Sequence, residues 1–179
     1  TNSDAWKILP KNYVLYCVKY MNPWAGFYLR RGTDKITENG QTTEEKREGA
    51  TIEKDEVCQI TTKSLTEAIY PLTVKRVVGK DAEGKDILKS YTCNLKFTFA
   101  NDGTCSVSSE TEGVTATGTG KFVEKGAKLA WGNKDRDILT LQYTVDFGAV
   151  KVETTDQFVA QTRGNTNGVV TFDTQYIVK

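Results

Sequence analysis

The chain has 179 residues, a length that one β domain can bury around a single core, and its 38 % hydrophobic and 26 % charged residues exclude a disordered or polyelectrolyte chain. Lysine and arginine number 24 against 23 acids, interleaved along the sequence, so the clustered basic excess that displaces counterions from nucleic acid is missing and no nucleic-acid partner is expected. The sequence holds no histidine, which removes Ser-His-Asp and Cys-His catalysis and histidine-held zinc together.

A polar N-terminal segment, 1–12, precedes what reads as a single β-barrel domain, 13–179. No apolar run approaches the roughly 18 residues that cross a bilayer as a helix. The polar start at Thr1 fits a chain whose export signal or lipid-anchored cysteine has been removed, so membrane attachment is expected only through an anchor outside this chain.

Strands are expected at 13–20 and 26–32, with Trp24 in the loop between them. The polar stretch 33–50, with its Asn39-Gly40 turn, reads as a long exposed hairpin or a mobile loop. Ser64 as a cap with Glu67 three residues on predicts one short helical turn over 64–69. Strands follow at 72–78 and 91–99, the latter alternating Tyr91, Cys93, Leu95, Phe97 and Phe99 with polar residues. A three-residue loop at Asn101-Asp102-Gly103 would set Phe99 opposite Cys105 and Phe97 opposite Val107 in a strand at 105–109. That register leaves Cys93 about 20 Å from the residue facing Cys105, beyond the roughly 7 Å limit of a disulfide. Free buried thiols are expected, with Cys17–Cys58 the one pairing left open.

Further strands are expected at 118–124, 139–147, 150–155, 157–162 and 169–178. A two-residue turn at Phe147-Gly148 would pair Val145 with Val150. Pro23 and Pro71 are expected beside strands, where a missing N–H does no harm. About nine strands joined by short hairpins, each with one apolar side, predict an all-β antiparallel up-and-down meander closing into a barrel of eight to ten strands. Phe97, Phe99, Tyr143 and Phe147 are expected to fill its interior, which leaves the outer loops for function.

Gly118-Thr119-Gly120-Lys121 resembles the end of a phosphate loop, but Thr115 stands where its first glycine belongs and no helix follows, so a strand bend or bulge is the better reading. Asn133, Asp135 and Asp137 alternate like calcium ligands, yet Ile138 and Thr144 occupy the positions of the required glycine and glutamate. Glu53, Glu56, Glu112, Asp146, Glu153 and Asp156 are expected in solvent, which argues against a carboxylate glycosidase, a hydrolytic chemistry that survives the lack of histidine. Trp24, Tyr28 and Trp131 are the candidate ligand-binding residues, because sugars stack their C–H faces on exposed aromatic rings; burial as barrel-end plugs is the competing reading. No cofactor is expected.

Tyr13-Val14-Leu15-Tyr16 and the stretch Lys19-Tyr20-Met21-Asn22-Pro23-Trp24-Ala25-Gly26-Phe27-Tyr28-Leu29-Arg30-Arg31-Gly32 resemble the start of a C-terminal domain of unknown function in surface lipoproteins of gut Bacteroidetes. Gly118-Thr119-Gly120-Lys121-Phe122 and the run from Asn133 to Tyr143 resemble its second half. The resemblance implies a calycin-like, lipocalin-like barrel, often preceded by an immunoglobulin-like domain, in exported outer-membrane or periplasmic proteins beside SusC/SusD-type glycan import systems. It supplies no catalytic residues. The expected function is non-catalytic glycan binding or presentation at the cell surface, with a structural or protein-docking domain and a lipocalin-like carrier of an apolar ligand as alternatives.

Overall fold

The structure, a computed structural model, describes residues 20–162. The strands expected at 13–20 and 169–178, the segment 1–12 and Cys17 with its open pairing to Cys58 lie outside the described residues. Nine strands follow in order: β1 (Gly26–Glu38), β2 (Gln41–Arg47), β3 (Glu56–Thr62), β4 (Glu67–Lys80), β5 (Asp86–Phe99), β6 (Thr104–Ser109), β7 (Thr115–Ala127), β8 (Arg136–Asp146) and β9 (Val150–Thr162). Every neighbouring pair is antiparallel, and β9 returns to β1, so eight strands close a barrel and β2 is an addition to it. Closure leaves the ring without a free edge where β1 meets β9. The alternating side chains do the rest: Cys93, Leu95, Phe97 and Phe99 of β5 and Leu139, Leu141, Tyr143 and Val145 of β8 are all buried in one core.

The β5–β6 hairpin has the expected register, Phe99 opposite Cys105 and Phe97 opposite Val107, and Cys93 and Cys105 are separate buried thiols. Other expectations need correction. In the β8–β9 hairpin Val145 faces Val152 instead of Val150. The Phe147 amide bonds the Val150 carbonyl at 2.9 Å and Asp146 Oδ1 accepts the Gly148 amide at 2.7 Å, which builds a four-residue turn. A slip of two keeps every side chain on its face, and it sets Thr154 opposite Tyr143 and Asp156 opposite Leu141. Strand β9 also runs unbroken through Asp156, where two strands were expected.

Residues 64–69 form no helix. Ser64 Oγ does accept the Glu67 amide, at 3.1 Å, but the amides of Lys63 and Ser64 both turn back onto the Glu67 carbonyl, and the alternating Ala68, Tyr70 and Leu72 then continue as β4. Pro71 lies inside that strand. Its partner Asn94 directs its amide to Thr111 Oγ1 and its carbonyl to the Glu110 amide, so Pro71 turns its own backbone away from β5, where no donor is needed. Gly118 and Gly120 sit in the body of β7, and the irregularity falls later, between Val123 and Ala127. They serve close approach: a Cβ on Gly118 would strike the Tyr143 Cβ and the Gln142 carbonyl.

Residues 33–50 form a hairpin whose first half is barrel wall. Strand β1 pairs with β9 along its whole length on one edge, while its other edge is shared, by β3 from Gly26 to Arg30 and by β2 from Gly32 to Glu38. Strand β3 touches β4 by backbone only at Thr61–Ile69 and Thr62–Ala68. Beyond that point β4 has β5 on one side and, among the described residues, no strand on the other. The result is a seam in the wall between β4 and the β2–β3 side.

Gly118→Ala should destabilise the domain by about 2–3 kcal/mol, as an overpacked site does, whereas Gly79→Ala, with open space around its Cβ position, should stay within about 1 kcal/mol of the parent. Urea unfolding curves of the two variants check this; equal midpoints would show that Tyr143 does not need the space over Gly118.

Candidate functional site

Alternation along β1 turns Tyr28, Arg30, Asp34 and Ile36 inward, with Gly32 between the two charged residues. On β9 the inward set is Val152, Thr154, Asp156 and Phe158. The hydrophobic pattern of both strands is thus interrupted at one level, and the interruptions meet. Arg30 is 3 % and Asp156 1 % exposed. Arg30 Nε donates to Asp156 Oδ2 at 2.9 Å, Arg30 Nη2 donates to the Tyr143 hydroxyl oxygen at 3.1 Å, and that hydroxyl donates to Asp156 Oδ2 at 2.7 Å. Arg47, from the end of β2, donates through Nη2 to Asp156 Oδ1 at 2.6 Å and through Nε to Asp34 Oδ2 at 2.6 Å. Thr154 Oγ1 donates to Asp34 Oδ1 at 2.8 Å, and Glu56 on β3 accepts from Arg30 Nη1 at 3.3 Å. Gly32 makes room for this: a Cβ there would collide with Asp156 Oδ1 and the Thr155 carbonyl.

Burying two guanidinium groups costs several kcal/mol each unless charge partners and hydrogen bonds offset it. Here they are supplied on every side. Burial opposes the Arg30 charge, but the Tyr143 oxygen and the Asp156 carboxylate outweigh it and push its pKa up, so it remains a cation. Its guanidinium also lies 5.2 Å from the Tyr70 ring centre and 5.7 Å from that of Phe158. Burial raises the Tyr143 pKa well above its ordinary value, which keeps the hydroxyl a donor. At Asp34 burial would raise the carboxyl, yet hydrogen bonds from Arg47 and Thr154 hold it below the usual range. Arg47 Nη1 is buried with no acceptor among the described residues.

Above this network, behind the seam, lies a cavity of about 530 Å³. Three cations (Arg30, Arg47, Lys75) and three carboxylates (Asp34, Glu45, Glu56) line it, with Thr73 and Thr154 and the aliphatic Ile36, Leu72, Val74 and Val152. The interior is therefore not filled throughout: aromatic packing closes the end where β1 begins, and in the other half the cavity borders a smaller apolar cluster of Ile36, Val150 and Val152.

The residues singled out from sequence sit elsewhere. Tyr28 is wholly buried, its hydroxyl donating to the Trp24 carbonyl at 2.7 Å, so it is no exposed platform. Trp24 is half-buried and stacks on Phe99 at 4.0 Å and 4°, as a plug at the β1-start end. Trp131 is half-buried in a 3-10 turn at the same end, with the Arg136 guanidinium 4.6 Å from its ring centre. Asp135 and Asp137 do not converge on a cation: Asp135 Oδ1 accepts the Leu129 amide at 3.1 Å and Oδ2 pairs with Lys128, Asp137 Oδ1 accepts the Lys125 amide at 2.9 Å, and Asn133 takes a left-handed turn conformation. Among the described residues no three or more acidic or thiol side chains cluster in a way that could hold a metal ion. Of the six carboxylates expected in solvent, Asp156 is the exception, and Glu56, though exposed, reaches inward to Arg30. Reading 150–162 as one alternating strand is the signal that would have placed Asp156 beside Val152 and Phe158.

Asp156→Ala should cost about 3–5 kcal/mol, since it strands a buried cation; urea unfolding measures it, and a loss under about 1 kcal/mol would mean that Glu56 and Tyr143 suffice. The Asp34 carboxyl has a folded pKa below its unfolded value near about 4, so its contribution is present above that pH and is lost as pH falls through the folded value. Unfolding free energy should therefore drop below about pH 4, with a shallower slope in Asp34→Asn.

The family model described as a domain of unknown function (DUF5627) matches residues 23–164. A crystal structure of a Bacteroides ovatus protein of unknown function, at 2.40 Å resolution, is similar with a TM-score of 0.73 and 43 % identity over 94 % of this chain. The match covers 50 % of that protein, so the present chain spans about half the length of this relative. No curated protein matches. With the model spanning nearly all of the described barrel, this chain belongs to the DUF5627 family of domains of unknown function.

Proposed function

We propose that the domain is a non-catalytic carbohydrate-binding module that holds a short saccharide in the cavity behind the seam. The observation that carries this is the lining: equal numbers of cations and carboxylates beside four aliphatic side chains. A balanced wall attracts neither anions nor cations strongly, offers donors and acceptors together, and gives C–H faces something to rest on, which matches a neutral polyhydroxylated ligand. The volume falls within the roughly 300–1,000 Å³ of small-ligand sites.

A binding role suits the carboxylates better than hydrolysis does. Glycosidases need one protonated carboxyl as general acid, and Asp34 is held ionised by Arg47 and Thr154. An apolar cargo would have to desolvate Glu45, Glu56 and Lys75, which are exposed, and the partly exposed Arg47. The sequence resemblance to surface lipoproteins is what suggests a setting in glycan capture at the cell surface, beside SusC/SusD-type outer-membrane partners. The alternative of a protein-docking domain draws on one feature, the β4–β5 hairpin, which exposes Val77, Val78, Ile87 and Leu88.

Calorimetric titration with host and dietary oligosaccharides tests the reading. Saturable binding should weaken at least about tenfold in Val74→Phe, which fills the cavity, and be unchanged in Trp131→Ala. Binding lost in Trp131→Ala but not in Val74→Phe would move the site to the outer loops, and no binding across the panel would favour docking.

A further inference from the structure

The cavity mouth lies between two elements that share no backbone ladder among the described residues. Among the described residues strand β2 has a backbone ladder with β1 alone, and residues 41–46 are all exposed. Opposite it, the ends of β4 and β5 form an arm exposed at every position from 77 to 90. Val74, lower on β4, still packs toward Ile36, Val150 and Val152, so the arm is seated at its base and free above it.

One side chain bridges the two elements. Arg76 Nη1 donates to Glu45 Oε1 at 2.6 Å, and Arg76 Nε donates to Glu38 Oε2 at 3.3 Å. Glu45 and Lys75 line the cavity, which puts this bridge at its mouth. Arg76 faces Lys89 in the β4–β5 register and follows Lys75, so the arm offers it like charge, and its only carboxylate partners among the described residues are those across the mouth. We propose that Arg76 with Glu38 and Glu45 is an ion-pair latch that holds the β4–β5 arm against the β1–β2 hairpin and sets how often the cavity opens.

A latch of this kind has two physical signatures. Partly exposed ion pairs shift an equilibrium only a few-fold, so the mouth stays able to open, and salt weakens them. The deeper contacts of Arg47 with Asp34 and Asp156 hold the base of β2 in either state.

Cys58 gives a readout that needs no ligand, so failure of the latch and failure of the saccharide reading are distinct. It lies inward on β3, two residues past Glu56, and is buried, while Cys105 lies buried on β6, outside the arm and the cavity lining, and reports global unfolding. Maleimide labelling under reducing conditions, followed by peptide mass mapping, should show Cys58 reacting about fivefold faster in Arg76→Gln than in the parent, with Cys105 unchanged. Raising salt from about 0.05 to about 0.5 M should speed Cys58 in the parent and leave Arg76→Gln unaffected. Equal Cys58 rates in both proteins at both salt levels would overturn the latch, as would an equal rise at Cys105. Were Arg76→Gln not to fold, the salt response of the parent alone decides.

Discussion

A bidentate-like embrace of Arg30 by Asp156 and Tyr143 in the middle of a β-barrel is the constraint to which the surrounding strands answer. A guanidinium that deep is tolerable only if each N–H finds an acceptor and the acceptors are themselves held. Five strands contribute: β1 the arginine, β9 Asp156, β8 Tyr143, β3 Glu56, and β2 the second arginine that satisfies the other oxygen of Asp156. Two glycines are needed as well, Gly32 to admit the carboxylate and Gly118 to let the Tyr143 stem lie against β7. Charge satisfaction and backbone space are one requirement here.

The second constraint is topological. One edge of β1 cannot pair with two strands at the same height, so β3 takes it from Gly26 to Arg30 and β2 from Gly32 to Glu38. The seam begins earlier, where the β3–β4 ladder ends at Thr61–Ile69, and the cavity lies behind it. In consequence the polar network sits where the wall is weakest, with water or a ligand able to reach its upper side.

Sequence periodicity revealed most of the ring. Residues 91–99 and 139–147 alternate so cleanly that strand, face and one hairpin register could be read directly, because a one-residue slip would expose a whole apolar set. Charged residues at inward positions were harder to see. Asp156 looks like a strand break among polar neighbours, and only the arginines it meets, from residues 30 and 47, make its burial tolerable; such long-range pairing leaves no local periodic trace. Ser64 and Glu67 show the converse, a capping pair whose local bond forms while the apolar alternation after it dictates a strand. The tryptophans drew attention for their chemistry, yet Trp24 packs on Phe99 from a distant strand, and Trp131 lies under the guanidinium of Arg136 at the end of the same β7–β8 connection.

Because β9 and β1 pair along their full length, the ring closes without any help from β2. The Asn39-Gly40 turn, both residues with positive φ, can therefore be lengthened or re-sequenced without opening the barrel, provided Arg47 still reaches Asp34 and Asp156. In that sense the molecule separates the part that must persist from the part that can diversify: a closed cylinder carries the fold, and a short appended ribbon, laddered to β1 and tied to the core through Arg47, shapes the wall that a ligand would meet.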